Sequence, residues 1–156
     1  MAKLCTMKNV FNLQVSEELI SRVNSLTPKT QNLWGKMNVA QMLAHCNVTY
    51  DLVYTDKYPK PKGFKKFMIK LFAKRIVTGP KPYKKNMRTA PVFLVVDERD
   101  FQKEKDLLID HIKKTQKLGE EYFDKRESHA FGPLSTKEWN ILFYKHLDHH
   151  LQQFGV

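Results

Sequence analysis

The most constraining feature of the chain is its C-terminal helix, because its start and its face are both written in the residues. Ser135 and Glu138 have the spacing of a capping box, and Leu134 stands where a hydrophobic staple onto Trp139 would begin. Projected at about 100° per residue with Trp139 at zero, Leu142, Phe143 and Gln153 cluster around one stripe. His146 and His150, at about 340° and 20°, lie at its centre. His149 falls at its edge, and Asp148 points to the opposite side. A helix with a wide apolar face must bury it against other elements, so the remainder of the chain is expected to supply matching helices.

It does so three times. A short helix is predicted from Ser16 as N-cap, with Leu19, Ile20, Val23 and Leu26 in register and Pro28 as the stop. Asn38 and Gln41 form a second capping box, which opens a helix to about Thr55 with Val39, Met42, Leu43, Cys46, Tyr50 and Val53 on one stripe. Asp97 or Asp100 begins a third, carrying Phe101, Leu108, Ile112 and Thr115, with Gly119 as its C-terminal residue. The segment Val92 to Val96 reads as a short strand or a buried connector. With no internal repeat or low-complexity tract, the expectation for residues 1–156 is a single all-α domain, an antiparallel four-helix bundle.

The net charge of +11 is confined to one segment. Between Lys57 and Val96 there are twelve Lys or Arg and no Asp or Glu, whereas the other 116 residues hold 15 basic and 16 acidic ones. Phe64, Phe67, Met68, Leu71 and Phe72 share one face of a helix over Phe64 to Ile76, and Lys66, Lys70 and Lys74 line another. This basic amphipathic helix, inserted between the second and third bundle helices, is expected to pack its apolar face on the host and solvate its charged one. The basic loop Lys81 to Pro91 follows. The longest apolar run, Val92 to Val96, is far short of the roughly 20 residues of a membrane span. Met1 to Leu13 has no apolar signal core, so a cytoplasmic protein with Cys5 and Cys46 as thiols is expected.

Two histidines one turn apart at the middle of an apolar stripe can converge on one point. An unpaired polar group in a core costs on the order of 1–3 kcal/mol, and one cation satisfies a nitrogen of each ring at once. A third ligand must come from another helix. His45 flanks the stripe of the second helix, beside Thr49, and meets that need. Three histidines leave a coordination position open, as in catalytic zinc sites. Cys46 is expected to pack as a small hydrophobe, His111 as a core residue or a neighbour of the site, and His129 near the site mouth or exposed. No HExxH is present, since Leu147 follows His146, so a metalloprotease base is missing. No catalytic acid or base is identified, although Gln41, Thr49, Tyr50 and Gln153 are polar residues on suitable faces.

Trp34-Gly35-Lys36-Met37, Gln41-Met42-Leu43-Ala44-His45-Cys46, Phe131-Gly132-Pro133-Leu134, Trp139 and the run Tyr144 to Gly155 together resemble the DinB-like (YfiT-like) superfamily, in a bacterial branch of unassigned function. The resemblance implies an up-down-down-up four-helix bundle. It also implies a divalent metal, zinc or nickel, on one second-helix histidine and two C-terminal ones, which correspond here to His45, His146 and His150. Members with assigned activities include thiol S-transferases and isomerases that use low-molecular-weight thiols, and others are described as metal-dependent hydrolases. The expectation is thus a metal-dependent enzyme acting on a small molecule, with a homodimer as the expected assembly. The alternative is a binding module that uses residues 57–88 to hold an anionic membrane or nucleic acid. In a third variant the basic segment lines the site mouth and draws in an anionic substrate.

Overall fold

The computed structural model describes residues 7–156, so Cys5 lies outside the described residues. Among them the chain is mostly helical: α1 (Leu13–Ser25), α2 (Val39–Tyr54), α3 (Gly63–Thr78), α4 (Phe101–Phe123) and α5 (Thr136–Gln153). A 3-10 turn at Pro91–Phe93 and a hairpin of β1 (Arg126–Ser128) and β2 (Gly132–Leu134) complete the elements. The hairpin is antiparallel, with Glu127 opposite Pro133, and is an addition to the expected all-α framework. α2 and α1 each pack on α4 and α5, α4 also packs on α5, and α3 lies against α5. No described helix is long and apolar enough to cross a membrane.

The two capping boxes form as expected. Asn38 and Ser135 each accept from the N3 backbone amide while Gln41 and Glu138 reach back. Leu134 and Trp139 are both fully buried in the same core. α1, however, starts earlier than Ser16 predicts. The Asn12 side chain accepts from the amides of Gln14 and Val15 and caps the helix there, leaving Ser16 buried inside it. Asp100 caps α4, but Gly119 breaks that helix instead of ending it: at φ +74° and ψ 178° it kinks the backbone, and one more turn follows to Phe123. Val92 to Val96 is not a strand; the 3-10 turn takes its first residues, and of the rest Val95 is buried while Val96 is exposed.

The core is densest toward the start of α5, where the rings of Phe11, Phe123, Trp139 and Phe143 lie 5.3–5.5 Å apart. Asp148, on the opposite side of α5 from the histidines, is buried and not solvated. It pairs with Arg22 of α1 at 2.8 Å, and Arg22 also donates to the Val156 carbonyl at 2.9 Å, which fixes the chain end on α1. The C-terminal half of α5 is thereby fixed on its α1 side, and the rings that follow Phe143 on its inner face are His146 and His150.

The inserted helix is turned the opposite way to expectation. Lys66 pairs with Glu127 at 3.3 Å and Lys74 with Glu138 at 3.1 Å, so two of the three lysines on the basic face meet the body, while Lys70 is exposed. Phe64, Phe67, Leu71 and Phe72 are 76%, 59%, 57% and 63% exposed. Carboxylates of the body draw Lys66 and Lys74 inward, and Val77 is an α3 residue that packs on the core. Lys145 of α5 adds to this by donating to the carbonyls of Ile76 at 2.6 Å, Gly79 at 2.5 Å and Lys81 at 3.2 Å. It occupies the carbonyl end of α3 as a C-terminal cation should.

Candidate metal centre

His45, His146 and His150 come together between α2 and α5, with one ligand nitrogen from each within 4.8 Å of the others. His45 Nε2 and His146 Nε2 are 3.0 Å apart. The ring centroids of the three lie 4.5–5.0 Å from one another. The i, i+4 step along α5 stacks His146 under His150, and the α2 face that carries Met42 and Cys46 into the core brings His45 against them. His45 and His150 are buried, whereas His146 keeps partial exposure.

The other nitrogen of each ring is already held. His45 Nδ1 donates to the Phe93 carbonyl at 2.8 Å, and His150 Nδ1 donates to Gln153 Oε1 at 2.8 Å. His146 Nδ1 is 3.0 Å from Thr49 Oγ1. A carbonyl can only accept, so His45 carries its proton on Nδ1 and presents a lone pair on Nε2. The Gln153 amide is oriented by its own donation to the Trp34 carbonyl at 2.7 Å, so it presents its oxygen to His150. Such outer partners hold metal-binding imidazoles in register.

Burial holds all three rings neutral. The pKa of His146 is pushed well below the usual histidine value by burial, and the nearness of His150 and His45, whose protonated forms would repel its own, adds to this. That of His150 falls to about 3 for the same first cause, and His45 is also lowered by burial, against the opposing pull of the Phe93 carbonyl. Lone pairs on neutral rings are what a divalent cation requires. Tetrahedral nitrogens at about 2.05 Å from zinc stand about 3.3 Å apart; the His45–His146 pair is at 3.0 Å and all three ligand nitrogens lie within 4.8 Å of one another. A proton can bridge one pair of these nitrogens; a cation satisfies all three.

Around the cluster stand rings and a cation. His149 is not among the three converging nitrogens. Its ring lies edge-on to Trp34 at 5.9 Å and Tyr83 at 5.6 Å, and Lys85 Nζ sits 4.2 Å over Trp34. Tyr83 and Phe93 also approach His146, at 6.4 and 5.6 Å. Of the polar residues considered from sequence, Thr49 and Gln153 reach the histidines. Gln41 instead caps α2 and donates to the Asp97 carbonyl, and Tyr50 stacks on His111 and Phe143 in the core. His111 bonds Asn47 at 3.1 Å, away from the cluster, and His129 lies near Pro59 and Lys60, so it is not at the site. Cys46 packs in the core, where burial raises its thiol pKa, and its sulfur contacts Met42. Phe93 was missed because a backbone carbonyl leaves no residue-type signal. Thr49 and Gln153 are legible as partners one helical turn from His45 and His150.

The family model DUF1569, described as a protein of unknown function, matches residues 7–155, and the chain belongs to that family. Comparison with curated proteins and with solved structures returned no match.

Proposed function

From its place in the DUF1569 family and the geometry of its histidines, we propose that this chain is a divalent-metal-dependent enzyme of the DinB-like type, with zinc or nickel held by His45, His146 and His150. In this reading α1, α2, α4 and α5 form an up-down-down-up bundle and α3 is an insert. The observation that carries it is the orientation of the rings: each Nδ1 is engaged by an oxygen, while one remaining nitrogen of each faces a common point. A divalent cation held there supplies Lewis-acid stabilisation of developing negative charge, the chemistry that hydrolases and thiol transferases share. Phe93, Thr49 and Gln153 hold the rings in place. Trp34, Tyr83 and Lys85 gather beside His149, where an aromatic wall and an ammonium suit a small anionic substrate.

Metal analysis of the purified chain tests the ligand set. The expected result is one zinc or nickel per chain, lost in the His45→Ala, His146→Ala, His150→Ala triple variant. Equal metal content in the two preparations overturns the reading. Cobalt substitution separates the reaction classes. A low-molecular-weight thiol that enters the site produces a sulfur-to-cobalt charge-transfer band, and an unchanged spectrum favours the hydrolase.

A further inference from the structure

We propose that the outward face of α3 docks on an anionic lipid surface. Val77 of this helix packs on the core, but five of its large apolar residues do not. Phe64, Phe67, Leu71, Phe72 and Ile76 are all exposed, and the rings of Phe64 and Phe67 lie 6.4 Å apart on one patch. Contiguous exposed apolar surface of this kind marks an interaction site. Lys65 and Arg75 fall among these residues at about 100° and 20° of helical projection, with Phe64 at zero, and Lys62 precedes them; all three are exposed. The pattern of Phe and Leu in the centre with Lys and Arg interspersed is that of a helix lying in a bilayer interface, its basic groups at headgroup level. A cleft of about 550 Å³ between α3 and the start of α5 continues the face, lined by Phe67 and Leu71 together with Lys70 and Arg75.

Charge selects this occupant over the alternatives. No acidic residue occurs between Lys57 and Val96, so a second copy placed face to face would set like charges opposite one another across the patch. Nucleic acid is disfavoured by the direction of the lysine stripe. Lys66 and Lys74 are paired with Glu127 and Glu138, which leaves Lys70 as the one exposed lysine of the stripe to meet a phosphate backbone. Leu71 and Ile76, on the exposed side, have no use for stacked bases. An anionic bilayer uses both halves of the face, apolar side chains in the acyl boundary and cations at the phosphates.

Vesicle flotation of the full chain tests the proposal, using phosphatidylglycerol–phosphatidylcholine vesicles, phosphatidylcholine vesicles and a DNA duplex as probes. Two surface variants accompany the wild type: Phe64→Ser, Phe67→Ser, Leu71→Ser, and Lys62→Glu, Lys65→Glu, Arg75→Glu. The expected result is binding to the anionic vesicles alone, weakened at least tenfold in each variant, with circular dichroism and metal content unchanged. Absence of vesicle binding at low salt overturns it. So does binding that survives the serine substitutions, which reports charge adsorption only, or equal retention on DNA. A concentration-dependent dimer abolished by the serine variant identifies a second copy as the occupant and likewise overturns it. Metal content is measured on the same samples, so failure here leaves the metal reading standing, and the converse holds.

Discussion

Gln153 carries the sharpest test of how the proposed metal centre is built. Its side chain is buried, accepts from His150 Nδ1 at 2.8 Å and donates to the Trp34 carbonyl at 2.7 Å. Gln153→Leu keeps the volume and the helix and removes both bonds. The Trp34 carbonyl retains Asn32 as a donor at 3.1 Å, so the unpaired group left behind is the His150 ring. One buried donor without a partner costs about 1–3 kcal/mol, a fall of roughly 3–9 °C in Tm at about 3 °C per kcal/mol for a chain of this size. The second effect is on the metal. With nothing fixing its proton on Nδ1, the ring can move that proton to Nε2 and withdraw its lone pair from the cluster. Loss of such an outer partner typically lowers metal affinity about 10–100-fold, or about 1.4–2.8 kcal/mol. Competition titration against a chelator dye measures the affinity, and differential scanning calorimetry of metal-free protein measures the stability term. Gln152→Leu, on the neighbouring residue that bonds Asp148 and not a histidine, is the control. A folded Gln153→Leu protein that binds zinc within threefold of wild type refutes the idea that Gln153 orients His150.

Acid should unfold the metal-free protein early. The pKa of His150 is lowered on folding to about 3, so between that value and about 6.5 the folded state binds fewer protons than the unfolded one, and stability is lost as pH falls through that window. Moving from pH 7 to pH 5 costs about 2 kcal/mol for this ring alone, read as a lower urea midpoint, and His150→Gln should flatten that dependence; identical midpoints at the two pH values would contradict it. Gly35→Ala should impair the site from outside it, because Gly35 sits at φ +86° and an added Cβ would press on the Gln153 amide nitrogen; the check is a lower Tm with weaker zinc binding. Lys145→Met removes the donor to three carbonyls at the end of α3, and faster amide exchange over residues 76–93, with the rest of α5 still protected, is the expected reading.

Much of the centre was legible because helical periodicity and ligand chemistry act on the same residues. His146 and His150 could be placed on one inner face by their spacing, and His45 by its position beside the Met42 stripe. Thr49 and Gln153 stood one turn away on faces already assigned inward. Two kinds of information were missing. The oxygen that orients His45 belongs to the backbone of Phe93, and any residue type supplies a carbonyl. Tyr83 and Lys85 arrive from a loop whose path depends on long-range contacts, here the Lys145 ammonium that gathers the carbonyls of Ile76, Gly79 and Lys81. α1 starts from Asn12 and not from Ser16 for a local reason: both are competent caps, and the Asn12 side chain takes the amides of Gln14 and Val15.

The orientation of α3 shows a limit of periodicity itself. A repeat of 3.6 says that a helix has two unlike faces; it does not say which of them meets the host. That choice is made by the host surface. Glu127 on the hairpin and Glu138 at the start of α5 present carboxylates 3.3 and 3.1 Å from the ammonium groups of Lys66 and Lys74. Burying the phenylalanines there would have left those carboxylates and Lys66 and Lys74 without partners, at about 1 kcal/mol or less for each exposed pair, a small gain by itself. The stronger constraint is Lys145, whose pKa is lowered by burial to about 8 and which is therefore still an ammonium at neutral pH. Buried that far, it needs acceptors, and the carbonyls of Ile76, Gly79 and Lys81 provide them, which pins the C-terminal end of α3 to α5. One lysine, next in the chain to His146, thus anchors the end of α3 and the start of the loop that brings Tyr83 and Lys85 toward the histidines.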